Sequence, residues 1–290
     1  MKRHSLKILL LALLSIIAIW MAFPPLRDLL QNAKQTDYYS HIPLIPVISA
    51  YFIFRKRKEI FERSPSFYLL GLFIIAAGAV LRLVGRGLQA DPNNYASIAT
   101  FSALVFWLGS FLFLYGKEAL RKTYFPAAFL IFAVPIPSIL MEKIISVLVT
   151  ASSSITNLLF KAIGVPFTRE GSIFVLPGFS IEVAKECSGI RSSLALFITG
   201  ILAGHLFLRK FWKKGVLALA VFPVAVFKNG LRIVGLYLLS YYIDMRFIEG
   251  DFHHKFAGSV FFAVGLVLLG LILWLLRRSE VRRAKMVKHG

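Results

Sequence analysis

Three polar side chains far apart in the sequence, Cys187, Arg232 and His254, together hold the chemistry of thiol-based acyl transfer. A thiolate attacks a carbonyl, a nearby cation lowers the thiol's pKa, and an imidazole carries the proton to and from the leaving amine. A guanidinium can also donate hydrogen bonds to the oxyanion of a tetrahedral intermediate. Cys187 is the chain's one cysteine, which excludes an internal disulfide framework and a cysteine-only metal cluster. A lone cysteine in an apolar protein ordinarily packs as a small hydrophobe. The segment ECSGIRSS instead surrounds this one with Glu186, Ser188, Gly189 and Arg191. Arg191, four residues on, is expected on the same helix face, where it either holds the thiolate or pairs with Glu186. Burial raises a thiol's pKa and neighbouring arginines lower it, so its resting ionisation stays open.

Arg232 lies within an apolar stretch, with Lys228 one turn before it on the same face and Asn229 beside it. It could snorkel to lipid headgroups, but an ionisable group inside a span is a functional hypothesis by default. His254 could be an ordinary surface histidine, and His253 competes with it for any role. Asp251, His253, His254 and Cys187 could gather around zinc, yet their spacing is unlike a usual zinc motif. His205 falls near the other end of its span and cannot join them. Neither a metal nor a cofactor is expected.

The elements that must position these residues are membrane helices. Of the 290 residues 58% are hydrophobic, 27 of them Phe, which is far too apolar for a soluble domain. A span needs about 20 largely apolar residues. Such stretches run over 6–24, 38–54, 66–84, 96–116, 125–137 with its continuation, 190–208, 216–240 and 256–276, giving an all-α bundle of about eight transmembrane helices. The fifth stretch is interrupted by Pro135 and Pro137, and Leu140 to Phe160 reads as an amphipathic helix suited to the interface or to lining a cavity. A short β-like hairpin is expected in GSIFVLPGFSIEVAKECSG, just before Cys187. The whole chain, 1–290, is read as one polytopic membrane domain: a four-helix part over 1–124, a core over 125–276 and a basic tail over 277–290.

The formal charge of +20 could suggest nucleic acid, but its placement excludes that reading. Alternate loops, from the N-terminus to the tail, hold 21 of the 34 Lys and Arg, and the intervening loops hold 8. Cationic residues beside membrane helices collect on the cytoplasmic side, so both termini are expected there. The first stretch, followed by Pro24 and Pro25 and not by a small-residue cleavage pattern, is read as an uncleaved span. On this topology Cys187 precedes the sixth span at its outer end. Arg232 lies 16 residues up the seventh, about 24 Å at 1.5 Å per residue, and His254 stands at the outer start of the eighth. The three converge on one membrane face.

These residues resemble those of the exosortase/archaeosortase family of membrane transpeptidases, over about Phe125 to Phe262. The resemblance rests on four ordered pieces: FAVPIPSIL, PFTREGSIFVLPGFSIEVAKECSGIRSSLAL, FPVAVFKNGLRIVGLYLL and FHHKFAGSVFF. It implies Cys187 as nucleophile, Arg232 as the catalytic arginine and His254, four residues before Gly258, as the third polar residue, histidine there being similar to the bacterial branch. It further implies a multi-pass protein of the bacterial inner membrane. Its partners would be membrane-anchored exported proteins whose C-terminus carries a short motif, often of Pro-Glu-Pro type, then one membrane helix and a basic cluster. The competing reading is a non-enzymatic transporter or polysaccharide-export subunit. Transporters often show repeated halves and broken helices at the bilayer midplane, and this sequence shows no repeat and clusters its polar residues near one face.

Overall fold

A computed structural model describes residues 2–31, 38–61, 67–183, 189–244 and 257–289. The helices are α1 (Lys2–Gln31), α2 (Leu44–Arg55), α3 (Arg57–Phe61), α4 (Tyr68–Val84), α5 (Pro92–Lys122), α6 (Tyr124–Phe129), α7 (Ser138–Ile163), α8 (Ile190–Phe207), α9 (Phe211–Tyr242) and α10 (Ala257–His289). Three short strands, β1 (Thr168–Glu170), β2 (Ile173–Val175) and β3 (Ser180–Glu182), lie between α7 and α8. The protein is a multi-pass all-α membrane protein. Among the described residues seven helices are long and apolar enough to cross a bilayer: α1, α4, α5, α7, α8, α9 and α10.

Two of the eight expected spans differ. Residues 44–55 form only 12 residues of helix, about 18 Å, because Pro43 caps α2 at its start. The 125–137 stretch breaks up: α6 passes into a 3-10 turn over Leu130–Ala133, and Val134 turns extended ahead of Pro135. The Leu140–Phe160 segment, expected at the interface or lining a cavity, belongs to the 26-residue α7, a candidate span in its own right. Its polar face is buried, with Ser152, Ser153 and Thr156 all at most 1% exposed. Mean hydropathy sums over the whole circumference, so it could not show that this face is turned inward.

The chain divides into two compact units, 1–141 and 142–290. In the first, α4 and α5 pack backbone to backbone. A Cβ placed on Gly78 would lie 2.7 Å from the Phe106 amide nitrogen, and one on Gly109 would lie 2.7 Å from that of Ile75. Close approach at small residues is how helices gain contact where lipid is as apolar as the side chains. α1 lies along α5 through Ala18, Ala22, Ala103 and Phe106, and Trp107 Nε1 donates to Ser15 Oγ at 3.0 Å. Arg82, a cation within α4, donates from Nε to the Met21 carbonyl at 3.1 Å and from Nη2 to Tyr95 Oη at 3.0 Å. It ties α1, α4 and α5 together. Asp91 caps α5 by accepting from the Asn93 and Asn94 amides, and its carboxylate also accepts from Ser138 Oγ at 2.9 Å. Asn93 donates to the Ile136 carbonyl at 2.8 Å, so the FAVPIPSIL segment is held on the start of α5.

In the second unit β1, β2 and β3 form an antiparallel meander, so the expected hairpin has a third strand. β2 turns Phe174 inward into a cluster with Phe160 of α7 and Ile233, Val234 and Tyr237 of α9. Val183, just beyond β3, is buried in the same cluster and its amide donates to the Ser172 carbonyl at 3.0 Å. α8, α9 and α10 pack through Leu196, Leu217, Val221 and Leu269. The link between α8 and α9 is clamped to α10, where Glu280 accepts from the Arg209 and Lys210 amides at 3.1 and 3.0 Å.

The α4–α5 contact predicts that Gly78→Ala lowers the thermal unfolding midpoint in detergent, with a cost of about 1–3 kcal/mol for overpacking. Gly87→Ala, which meets nothing within 4 Å, leaves it unchanged.

Candidate active site

Of the sequence-predicted residues, Arg191, Asn229 and Arg232 lie in described segments, while Cys187, Glu186, His253 and His254 fall outside the described residues.

Gly189 caps α8 in the left-handed region, with φ 69°. A side chain there would be strained by roughly 1–2 kcal/mol. It would also crowd Asn229, whose Oδ1 would lie 3.0 Å from a Cβ, and would touch Lys228 Nζ at 3.6 Å. The helix begins at Ile190, and the i, i+4 relation expected between Cys187 and Arg191 lies outside the described residues. Arg191 is exposed in the first turn. The Gly189 carbonyl accepts from Ser192 Oγ at 2.9 Å, from Ser193 Oγ at 2.8 Å and from the Ser193 amide at 2.9 Å.

Onto this turn docks one face of α9. Lys228 is 3% exposed and its amine donates to Ser192 Oγ. Asn229, 1% exposed, fills the space beside Gly189. Arg232 follows Lys228 by four residues and so shares its face; it is half-buried. The aliphatic stem of Lys228 passes α10 at Gly265, where a Cβ would lie 3.0 Å from Lys228 Cδ and 2.9 Å from Leu196 Cδ1. One turn beyond Arg232 the first turn of α10 meets α9, since a Cβ on Gly235 would lie 3.1 Å from Phe261 Cζ.

The start of α8 and the first turns of α10 therefore pack against the Lys228–Gly235 stretch in the middle of α9. Sequence reasoning noticed Lys228 only as a neighbour of Arg232. Its pairing with Ser192 had one signal in the sequence, the SGIRSS segment, but no spacing rule links residues 36 apart. Among the described residues no three His, Cys, Asp or Glu side chains gather to hold a metal, and the residues weighed for zinc all lie outside them.

No curated protein and no solved structure matches this chain. The family model for transmembrane exosortases matches residues 31–271. That range takes in α2 to α5 as well as the 125–262 region that carries the motifs. Spanning helices, the ordered motifs and a family match over most of its length agree, and the chain belongs to the transmembrane exosortase family.

Proposed function

We propose that this protein is a membrane-embedded cysteine transpeptidase or peptidase that removes C-terminal sorting signals from exported proteins. The observation that carries this reading is the docking of Lys228 and Asn229 of α9 on the first turn of α8, two residues beyond Cys187 in the sequence, with Arg232 on the same face of α9. The Lys228 amine and the N-terminus of α8 then bear on the chain next to the thiol, and both favour a thiolate.

In the proposed reaction Cys187 Sγ attacks the scissile carbonyl and Arg232 donates to the oxyanion. The C–N bond breaks, and the leaving amine, on the segment bearing the substrate's membrane helix and basic cluster, takes a proton from His254. An acceptor amine or water attacks the thioester, returns a proton to His254 and releases Cys187. Glu186 and Arg191 support this centre electrostatically, and Asn229 holds the Gly189 turn. No cofactor enters. The basic links assign both termini to the cytoplasm and the site to the outer face of a bacterial inner membrane. In that assignment α2 supplies a crossing and α7 takes the one expected from 125–137. A substrate anchored in the same bilayer reaches the site by lateral diffusion, its own helix holding the scissile bond near the outer interface.

Coexpression with a substrate bearing the motif, helix and basic cluster tests the assignment. Processing, read by mass shift, is expected to be abolished in Cys187→Ala and to fall roughly a hundredfold in Arg232→Lys, which keeps charge but loses the planar fork. Undiminished processing by Cys187→Ala would remove the nucleophile. His254→Ala is expected to stop turnover while His253→Ala spares it.

The single cysteine makes thiol alkylation a clean reporter of the Lys228 contact. A charge 10 Å away at an effective dielectric of 20 changes the thiolate's energy by about 1.7 kcal/mol, or about one pH unit. Lys228→Met is therefore expected to slow iodoacetamide labelling at neutral pH about tenfold, with the rate regained about one pH unit higher. Lys228→Arg retains the parent profile. A profile identical in Lys228→Met and the parent assigns Lys228 to packing alone.

A further inference from the structure

The N-terminal unit contains a cavity of about 950 Å³ among α1, α2 and α5. Ligand sites range over roughly 300–1,000 Å³, whereas protein interiors otherwise pack with few voids larger than a water. The space exists because small side chains face it: Ala18 and Ala22 from α1, Ser49 and Ala50 from α2, and Ala103 from α5. Its walls are otherwise almost wholly apolar. One end differs. The lining follows α2 past its last residue to Arg57 and Lys58. At that end Tyr115, also on the lining, has Lys7 Nζ 5.9 Å from its ring centroid.

Arg57 is held at the mouth by its donation to the Phe54 carbonyl at 3.3 Å and by stacking 4.1 Å from the Phe54 ring centroid. Neither Arg57 nor Lys58 makes an ion pair among the described residues. Deeper in the lining, the buried hydroxyls of Ser49 and Thr100 have no hydrogen-bond partner among the described residues.

We propose that this cavity binds one anionic phospholipid, its acyl chains filling the apolar space and its phosphate against Arg57 and Lys58. Basic pockets between membrane helices select anionic headgroups by charge, and the cationic group of a zwitterionic lipid opposes that attraction. A glycerolipid's ester carbonyls are acceptors for Ser49 and Thr100. A membrane helix ending in basic residues would meet Arg57 and Lys58 with the same sign of charge, which disfavours it as the occupant. The site is independent of the proposed peptidase reaction.

Trp107 lines the cavity and serves as the probe. Trp20, Trp212 and Trp274, each more than half exposed, are replaced by Phe, and the full chain is placed in vesicles containing brominated phosphatidylglycerol or brominated phosphatidylcholine. Quenching of Trp107 is expected to favour phosphatidylglycerol by about thirtyfold in relative affinity, the sum of two headgroup-facing charges. Arg57→Gln with Lys58→Gln brings the preference close to unity. Ala50→Phe, at an exposed position on the lining, reduces quenching by both lipids. Retention on size exclusion and helical circular dichroism show that each variant is folded. Equal quenching by the two lipids in the parent, or a preference unchanged in the double variant, overturns the proposal. So does an absence of quenching by either lipid, which would mean that protein fills the cavity. Protection of Trp107 by soluble glycerol phosphate would place recognition in the headgroup alone and overturn the acyl-chain part.

Discussion

A lysine amine buried among membrane helices must find a partner, because bilayer hydrocarbon offers none. Lys228 finds it in the Ser192 hydroxyl. Two neighbours without side chains accommodate it: Gly189 leaves room for Asn229 beside the amine, and Gly265 leaves room for the stem. Ser192 passes the restraint on by donating to the Gly189 carbonyl. One polar contact thus ties the beginning of α8 to the middle of α9, with α10 closing over the stem. The aromatic cluster of Phe160, Phe174 and Tyr237 supports the same region from α7 and the sheet, and Val183 anchors the chain ahead of the cysteine segment.

Arg82 and Lys228 show how differently two cations inside spans can be used. Arg82 spends its guanidinium on a carbonyl of α1 and a phenol of α5, linking three helices at a place where no reactive side chain is near in the sequence. Lys228 and Arg232 lie on the face of α9 that meets the turn following the lone cysteine. Membrane burial alone therefore does not show which elements a cation joins. The partner does, and the partner is a tertiary fact.

The two units meet the bilayer's demand for satisfied backbone in different ways. In 1–141 the proline-rich segment, which cannot complete a helical ladder, is satisfied by side chains at the start of α5: Asn93 donates to the Ile136 carbonyl, and the Ser138 amide donates to Asn94 Oδ1. In 142–290 the irregular chain is a three-stranded meander whose central strand buries one aromatic residue. In each the non-helical backbone is hydrogen-bonded, to side chains in the first and strand to strand in the second.

The apolar runs and the alternation of basic links were enough to establish a multi-pass helical protein, because bilayer thickness sets a minimum length that sequence shows directly. The limits of α8, expected at 190–208 and found at Ile190–Phe207, were legible for the same reason, with Gly189 marking the turn. The motifs around Cys187, Arg232 and His254 were likewise legible as ordered residue types, and they carried the family resemblance. Hydropathy could not show that α7 turns Ser152, Ser153 and Thr156 inward, nor that prolines leave α2 and α6 as short helices. Spacing could not pair Lys228 with Ser192. Side chains 36 residues apart meet only when three helices have already packed, and that packing is set by where glycines let them approach.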